Sequence, residues 1–383
     1  MTPSIDPSFA GPDAITPGRE HGSDTPLQVT RRNVLTWAAA PGLGFVIAGN
    51  TQIGVFRVSA PVDAQIPDLP QLIVAGPDDG PLTPWADIIH AVIDRLSANG
   101  QKLQSRNVGG VDGVTAANQF EARTAPDGST AMLTSGEPAI AWLVGDQRAQ
   151  FDAGHWLPIV TGLTSGIVLS RSTLASHGGQ FRLAIRNPKD LAIAARLGLS
   201  LLGVEITSVI ATSDPSASLQ SGQADFAFIR GTDAVDSARD ADLHGMKPIF
   251  TLGMIGEAGN LTRDPLISQV PHFPELAAKL PSSPNMTSLL AAWRATAAAA
   301  QLEFALVLPW LSPAGTVAWW RKAATQIAVQ IKSSSSTSAK SGRSADQSLE
   351  VCADPTSSFG LSAIAVDAVT SLALRKWLIS RSI

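Results

Sequence analysis

Three short strand-like segments alternate with two amphipathic segments in the first part of the chain, and this alternation constrains the fold more than any other feature. The strand-like segments are QLIVA (71–75), KLQSR (102–106) and STAML (129–133), and apolar residues recur at helical spacing between them. Strands that alternate with helices form a parallel sheet with right-handed crossovers. The sequence therefore predicts an α/β fold, in which ligands bind beyond the carboxyl ends of the strands.

The loops that follow the first and third strands are the candidate ligand-binding segments. A helix is predicted to begin directly after the first loop, with Thr83 as its N-cap, and exposed N–H groups at helix N-termini stabilise anions. The second loop contains small residues, which leave space and hydrogen-bond donors at the end of the strand. The predicted site residues in these two loops are Asp78, Asp79, Gly80, Thr83, Thr134, Ser135 and Gly136.

Composition and motifs exclude several functional classes. A net charge of −4 over 383 residues gives no basic field for nucleic acid. Cys352 is the one cysteine, so an internal disulfide or a multi-cysteine metal site is excluded. The six histidines form no His-x-x-x-His pair, and the glycines form no Gly-x-Gly-x-x-Gly set. We expect no metal, no cofactor and no catalytic residue, so the chain is not predicted to be an enzyme.

The N-terminal segment has the pattern of an export signal. Residues 1–29 are rich in Pro, Gly, Ser, Thr and Asp, which is typical of disorder. Arg31-Arg32 then precede an apolar stretch that is too short to span a bilayer, as in twin-arginine signals. Cleavage after VSA (58–60) or VDA (62–64) would start the mature protein near residue 61. This pattern predicts a periplasmic protein; a helix cap followed by a buried helix is the alternative.

The remainder of the chain continues as alternating strands and helices. A low-complexity segment, Ser333 to Asp346, is predicted to be a surface loop. A final helix is expected over residues 362–380. Asp127 and Asp225 lie in predicted turns, where aspartate hydrogen-bonds the neighbouring backbone, so we interpret both as turn formers rather than ligand groups.

Six motifs in order resemble one known family. They extend across roughly residues 70 to 330 and are NVGGVDG (107–113), APDGST (125–130), FD…HWLPIV (151–160), SGQAD (221–225), PHFPE (271–275) and SPAGT (312–316). Their order and spacing are similar to those of the extracytoplasmic receptors of tripartite tricarboxylate transporters, also called Bug proteins. The resemblance implies a two-lobed, periplasmic-binding-protein-like fold. Each lobe is expected to be a mostly parallel sheet flanked by helices, with the ligand cleft between the lobes.

The resemblance also implies a domain organisation. Residues 1–60 would be the disordered segment and signal peptide, and residues 61–170 the first part of lobe 1. Lobe 2 would comprise residues 171–300. Residues 301–383 would return to lobe 1 and include the C-terminal helices and the 333–346 loop. Receptors of this family close over a small carboxylate, which their loops hold through backbone N–H groups and ordered water.

Departures from the family pattern leave the ligand class open. The family loop Gly-Gly-x-x-Asp corresponds here to DGPLT (79–83), so Asp79 replaces a glycine and Thr83 replaces the aspartate. The acidic side chains disfavour an anion nearby. A second-lobe loop contains Arg186, Asn187 and Lys189; the first two complete the predicted site. The ligand is therefore neutral, cationic, or an anion bound by Arg186 or Lys189.

Two functional hypotheses follow from the sequence. The first is a periplasmic solute-binding protein that captures a small organic acid, or a related metabolite, and delivers it to an integral-membrane permease. The second is an accessory or sensor partner that uses the same fold with an altered carboxylate loop. An open cleft with converging donors favours the first hypothesis, and a cleft filled by side chains favours the second.

Overall fold

The computed structural model describes the strands and helices of the chain from residue 67 onward. The described residues are 67, 70–97, 102–110, 112–171, 180–186, 190–211, 214–241, 245–255, 260–281, 283–339, 349–353 and 363–381. The predicted twin-arginine segment, Asn187 and Lys189 lie outside these residues. No helix in the described ranges is long and apolar enough to cross a membrane.

The strands of the described residues form two large sheets and one small ribbon. The first sheet has the order β13-β4-β12-β3-β1-β2, the second has the order β7-β6-β8-β5-β9, and β10 pairs with β11. The strands are β1 (Gln71–Ala75), β2 (Gln104–Val108), β3 (Thr130–Thr134), β4 (Leu157–Thr164), β5 (Gly166–Ser170), β6 (Phe181–Ile185), β7 (Ile206–Ile210), β8 (Phe226–Arg230), β9 (Lys247–Thr251), β10 (Met254–Ile255), β11 (Leu261–Thr262), β12 (Leu302–Leu308) and β13 (Leu349–Cys352).

Helices pack against both sheets. They are α1 (Thr83–Leu96), α2 (Val114–Arg123), α3 (Glu137–Val144), α4 (Ile193–Leu201), α5 (Pro215–Gln220), α6 (Thr232–Asp240), α7 (Phe273–Ala277), α8 (Pro284–Gln301), α9 (Ala314–Ala339) and α10 (Ala368–Ser380). We call the first sheet with its helices lobe 1 and the second sheet with its helices lobe 2. The predicted α/β fold with two sheets is confirmed.

The expectation of mostly parallel sheets is only partly correct. Strand β1 is parallel to β2 and β3, and β6 is parallel to β7 and β8, as the strand–helix alternation predicts. Strands β12, β4, β5 and β9 pair antiparallel with their neighbours. Strands β12 and β5 run against the strands of the βαβ units. Strands β4 and β9 are each antiparallel to one of these two, so they run in the same direction as the βαβ strands. Both sheets are therefore mixed.

The passage from lobe 1 to lobe 2 takes one residue. Strand β4 ends at Thr164 and β5 begins at Gly166, so Ser165 is the one residue between these two strands. The backbone N–H of Gly231, directly after β8, donates to the carbonyl of Ser165 at 2.9 Å. The end of β8 is thus held against the point where the chain changes sheets.

Helix α8 packs against both lobes. Its last turns consist almost entirely of buried alanines, and it contacts α3 of lobe 1 and α4 of lobe 2. Trp293 is fully buried, and its indole N–H donates to the carbonyl of Ala194 in α4 at 3.0 Å. Small side chains allow helices to approach closely, so α8 packs tightly against α3 and α4.

Two local predictions are wrong. Thr83 is the first residue of α1 rather than its N-cap, because its hydroxyl donates to the carbonyl of Asp78 at 2.8 Å instead of capping the helix. The predicted loop from Ser333 begins as helix: α9 continues to Ala339, because a polar serine-rich stretch extends a helix that is already anchored by buried residues such as Trp320 and Ile327. Residues 340–346 lie outside the described chain.

The predicted turn at 126–128 is confirmed in detail. The carboxylate of Asp127 accepts the N–H of Ser129 at 2.8 Å, which is the turn-forming role predicted for it. Gly128 has a φ of +74°, a left-handed conformation that favours glycine. Its carbonyl accepts the indole N–H of buried Trp320 at 2.8 Å. The turn is therefore anchored to α9, and β3 follows it directly into the sheet.

Candidate functional site

A cavity of about 860 Å³ lies where the strand ends of the two sheets face each other. Lobe 1 contributes the segments after β1, β3 and β4 and the first residues of β12, and lobe 2 contributes the segments after β6 and β8. The cavity thus lies at the carboxyl ends of parallel strands in both sheets, where the sequence predicted a ligand site. The polar and charged residues that line it are Ser135, Glu137, Thr164, Arg186, Arg230, Thr232, Asp233, Asp236 and Glu303.

A smaller cavity of about 110 Å³ adjoins the first on the side of lobe 2. The two cavities share Glu137, Arg186, Arg230 and Asp233 in their linings. Two arginines and two carboxylates therefore border both spaces. We call the two cavities together the cleft.

The loop after β3 is held rigidly in lobe 1. Gly136 is buried, and its N–H donates to the carbonyl of Leu302 at 3.3 Å. A Cβ at Gly136 would collide with the carbonyl oxygen of Ala299 in α8 and lie 2.8 Å from its carbonyl carbon. The Ser135 hydroxyl accepts the N–H of Glu137 at 3.3 Å. This packing fixes the position from which Glu137 lines the cleft.

Arg230 extends from lobe 2 to lobe 1. It is the last residue of β8, and its Nη2 donates to the carbonyl of Leu302 at 3.2 Å. The same nitrogen lies 3.6 Å from Oε2 of Glu303, which is a weak ion pair. Its Nε is buried and has no hydrogen-bond partner among the described residues. A buried donor without a partner is rare in a folded protein, and here it belongs to a side chain that lines the cleft.

Burial dominates the electrostatics of the two central side chains. Burial raises the pKa of Glu137, although Arg230 and Arg186 oppose the shift. Burial also lowers the pKa of Arg230, against the attraction of Glu303 and Glu137, but a guanidinium remains protonated. Each charge is therefore poorly solvated, and a ligand group of opposite sign would find little competition from water.

Arg186 is the predicted site residue that borders both cavities. It directly follows β6, is exposed, and its backbone N–H donates to the Asp190 carboxylate at 2.7 Å. That bond joins the last residue before the undescribed segment 187–189 to the first residue after it. Asn187, predicted beside it, lies outside the described residues.

Among the other predicted residues, Ser135 lines the cleft and Gly136 supports it from behind. Thr134 is fully buried, and its hydroxyl donates to the carbonyl of Ser135 at 3.2 Å. The structure therefore brings Ser135 together with Arg186 from the opposite lobe, while Thr134 and Gly136 serve the packing of the loop. Ligand binding by Ser135 and Arg186 stays a prediction.

The predicted residues of the β1–α1 loop lie beside the cleft rather than in its lining. Asp78 and Asp79 are exposed, and the hydroxyl of Thr83 is engaged by the Asp78 carbonyl. The N–H of Gly80 donates to the carbonyl of Pro77 at 3.1 Å. The members of this segment that do line the cavity are Gly76, Pro77, Pro81, Leu82, Pro84 and Trp85. The lining of the cleft from this loop is thus largely apolar.

The sequence analysis missed Glu137, Arg230 and Asp233. The rule that ligands bind at the carboxyl ends of parallel strands could have found all three. Glu137 lies three residues after β3. Arg230 is the last residue of β8, and Asp233 is the second residue of α6. In the loop after β3, the prediction ended at Gly136, one residue before Glu137, because it relied on small residues and backbone donors. Charged side chains at the same strand ends carry the stronger interactions.

A two-lobed α/β architecture with a cleft at the strand ends of both lobes defines the class of periplasmic-binding-protein-like folds. Within this class, a TctC solute-binding protein from Polaromonas matches with a TM-score of 0.55 at 15% identity, over 82% of this chain and 99% of that protein. This likeness shows that the chain has the fold of a TctC solute-binding protein, which confirms the resemblance at the level of fold.

Two further solved structures match with lower TM-scores. A periplasmic transporter has a TM-score of 0.46 at 14% identity, over 81% of this chain and 94% of that chain. MatC from Rhodopseudomonas palustris, with bound malate, has a TM-score of 0.42 at 19% identity, over 82% of this chain and 97% of that chain. Neither a model of a known protein family nor the sequence of a curated protein matches this chain.

Proposed function

We propose that this chain is a periplasmic solute-binding receptor that captures a small organic acid and delivers it to an integral-membrane permease of the tripartite tricarboxylate type. The observation that carries the proposal is Arg230, a half-buried cation that lines the cleft and has an unpartnered Nε. The fold shared with the TctC solute-binding protein from Polaromonas supports the same function.

A carboxylate fits the bonding position at Arg230. A guanidinium presents its N–H groups as a rigid fork that matches the two oxygens of a carboxylate. One N–H of Nη2 is bonded to the carbonyl of Leu302, and the remaining N–H groups of the guanidinium are the candidate donors for the ligand. Arg186 lines the same space from the next loop of lobe 2 and supplies a second positive charge.

The mechanism is a shift between an open and a closed arrangement of the lobes. Arg230 and Arg186 belong to lobe 2, whereas Glu137, Ser135 and Glu303 belong to lobe 1. A ligand that contacts both sets binds the closed arrangement more tightly, and it shifts the population by that difference in affinity. No bond is made or broken, and the receptor therefore acts without a catalytic step.

Thermal denaturation of the full chain with and without candidate acids tests the proposal. A ligand at 100 times its Kd adds about 2.7 kcal/mol to the free energy of unfolding, which is a visible rise in Tm. The substitution Arg230→Gln should abolish the shift. Arg123→Gln, which changes an exposed arginine on α2, is the matched control and should retain it. No shift with any mono-, di- or tricarboxylate would refute the receptor and favour the accessory or sensor alternative.

Export by the twin-arginine route is part of the proposal. The support is the pair Arg31-Arg32 before a modest apolar stretch. Replacing both arginines by lysine should leave the precursor inside the cell, and the unmodified chain should appear in the periplasm with its N-terminus near residue 61. Equal export of both proteins would exclude this route without affecting the proposed binding function.

A further inference from the structure

The C-terminal helix α10 is apolar on its exposed side as well as on its buried side. Its buried residues are Thr370, Leu374 and Trp377. On the opposite side, Val369, Leu372 and Ile379 are 65%, 52% and 67% exposed. With Lys376 they are spaced by three, four and three residues, so all four lie along one face, which we call the outer face of α10. Exposed apolar residues that share one face form a patch, and such patches mark interaction surfaces.

Contacts with both lobes fix the orientation of the outer face. Nη2 of Arg375 donates to the carbonyl of Trp142 in α3 of lobe 1 at 3.2 Å. The indole N–H of buried Trp377 donates to the hydroxyl of Ser200 in α4 of lobe 2 at 3.1 Å. A rotation of α10 that buried its outer face would break both bonds. The apolar side chains of that face are therefore held outward.

Positive charge surrounds the outer face. The basic residues on α10 and beside it, which we call the basic cluster, are Arg196, Arg375, Lys376 and Arg381. Among the described residues, none of the four forms an ion pair with a carboxylate. The range of α10 itself, 368–380, contains no acidic residue. The positive charge is thus left for a partner to neutralise.

The basic cluster is closely spaced at the end of α10. Nη2 of Arg196 donates to the backbone carbonyl of Arg381 at 3.0 Å. Burial and, after it, the charge of Arg381 lower the pKa of Arg196, so the two side chains repel each other, although a guanidinium remains protonated. An anionic partner would relieve this repulsion.

We propose that the outer face of α10 rests on the surface of an anionic phospholipid membrane. Helices that lie in a membrane interface place apolar side chains at the boundary between headgroups and acyl chains, and their Lys and Arg attract anionic lipids. Lys376 suits this position, because its long stem can lie along the apolar patch while its ammonium group reaches the phosphates. A second copy of the chain fits the face less well, since it would bring two basic clusters together. This membrane contact goes beyond ligand capture and does not depend on what the cleft binds.

Sedimentation of the full chain with lipid vesicles tests the membrane contact. One set of vesicles contains phosphatidylcholine alone, and the other contains phosphatidylcholine and phosphatidylglycerol in equal parts. At an ionic strength of about 0.1 M, we expect at least about tenfold tighter binding to the anionic vesicles, because each Lys or Arg near such a surface is attracted to it. At about 1 M salt, where the Debye length falls to about 3 Å, this preference should largely disappear.

A triple substitution tests the apolar patch. Val369→Ser, Leu372→Ser and Ile379→Ser together should weaken binding to the anionic vesicles at least about tenfold, because less apolar surface leaves water. The matched control replaces three apolar residues that are 63%, 41% and 59% exposed elsewhere, and it should bind like the unmodified chain: Ile210→Ser, Leu266→Ser and Val329→Ser. All six side chains are exposed, so both variants are expected to fold, and their melting curves check this. Every variant carries the same N-terminal residues, so the contrast between variants isolates α10.

A charge reversal tests the basic cluster. Lys376→Glu should weaken binding to the anionic vesicles at least about fivefold and leave binding to phosphatidylcholine unchanged. Lys322→Glu reverses an exposed lysine on α9 and is the matched control, which should have a much smaller effect.

The possible results decide between a membrane and other occupants of the outer face. Preferential binding to anionic vesicles that both α10 variants lose and both controls keep would support the membrane contact. Equal binding to the two kinds of vesicle, or unchanged binding by the triple variant, would overturn it. A concentration-dependent dimer in sedimentation velocity that the triple variant lacks would assign the face to a second copy and overturn the membrane contact as well. The vesicle assay contains no organic acid, so its result is independent of the proposed receptor function.

Discussion

The substitution Gly136→Ala tests the rigid support of the cleft most directly. The added Cβ would collide with the carbonyl oxygen of Ala299 and lie 2.8 Å from the carbonyl carbon and 3.3 Å from Cβ of Leu302. Two of these atoms belong to the backbone of buried α8, which cannot rotate away as a side chain can. Accommodation therefore requires a movement of the loop that carries Ser135 and Glu137.

The magnitude follows from this geometry. Overpacking of a buried site costs about 1–3 kcal/mol, and we expect about 3 kcal/mol because the obstacle is backbone. Replacing glycine by alanine also restricts the unfolded chain, which stabilises the folded state by about 0.4–1 kcal/mol. Gly109→Ala isolates that second effect, because nothing lies within 4 Å of a Cβ at Gly109. The predicted difference between the two variants is thus about 3 kcal/mol, or roughly 4 °C in Tm for a chain of 383 residues.

Urea denaturation of both variants measures the difference, and calorimetry with the acid that binds the unmodified protein measures the consequence for the site. Gly136→Ala should lose most of its affinity because Glu137 is displaced, whereas Gly109→Ala should retain it. If Gly136→Ala were within 1 kcal/mol of Gly109→Ala and bound ligand normally, the close approach of the β3–α3 loop to α8 would be refuted.

Three further substitutions test individual interactions. Burial raises the pKa of Glu137 above its ordinary value of 4.5, so the folded state holds this proton more tightly than the unfolded state does. The free energy of unfolding therefore falls as the pH rises from 4.5 through the raised pKa. Glu137→Gln should remove this contribution to the dependence of the free energy of unfolding on pH. The Arg182 guanidinium lowers the pKa of Asp225 below 3.8, so this pair stabilises the fold above that pH and the contribution is lost as pH falls; Asp225→Asn should lose it at neutral pH. Trp320→Phe removes the buried hydrogen bond to Gly128 and should cost about 2 kcal/mol.

Denaturation across a pH series checks the first two substitutions, and denaturation at neutral pH checks the third. An unchanged slope for Glu137→Gln would contradict the burial of that carboxyl. Equal stability of Asp225→Asn and the unmodified protein at both ends of the series would contradict the ion pair. Trp310→Phe is the control for Trp320→Phe, since Trp310 is 55% exposed and its replacement should change stability by less than about 0.5 kcal/mol.

Much of the fold follows from local sequence patterns. QLIVA coincides with β1 and STAML overlaps β3, because each segment is a short apolar run bounded by turn residues. The directions of the antiparallel strands were not predicted. Direction depends on which sheet the chain enters after Ser165 and after α8, and no local periodicity encodes that choice.

The failures at Thr83 and Ser333 have a common physical origin. Threonine is a good N-cap and serine is a poor helix former, so both predictions rely on intrinsic preference. In the structure, the Asp78 carbonyl takes the Thr83 hydroxyl, and the buried face of α9 extends the helix past Ser333. Tertiary contacts thus override preferences that are worth only a few tenths of a kcal/mol to about 1 kcal/mol per residue.

The candidate site shows the same limit in a different form. Backbone donors can be inferred from glycine-rich loops, which led to Gly80 and Gly136, but the N–H groups of both are already bonded within the protein. Among the described residues, the Nε of Arg230, a side chain at the end of β8 that lines the cleft, has no hydrogen-bond partner. Its significance depends on the strand ends of the two sheets being brought together, because Arg230 reaches Leu302 from the opposite lobe. A site formed between two sheets is therefore best sought among the charged residues that end parallel strands, since those positions face the other sheet whatever the loops contain.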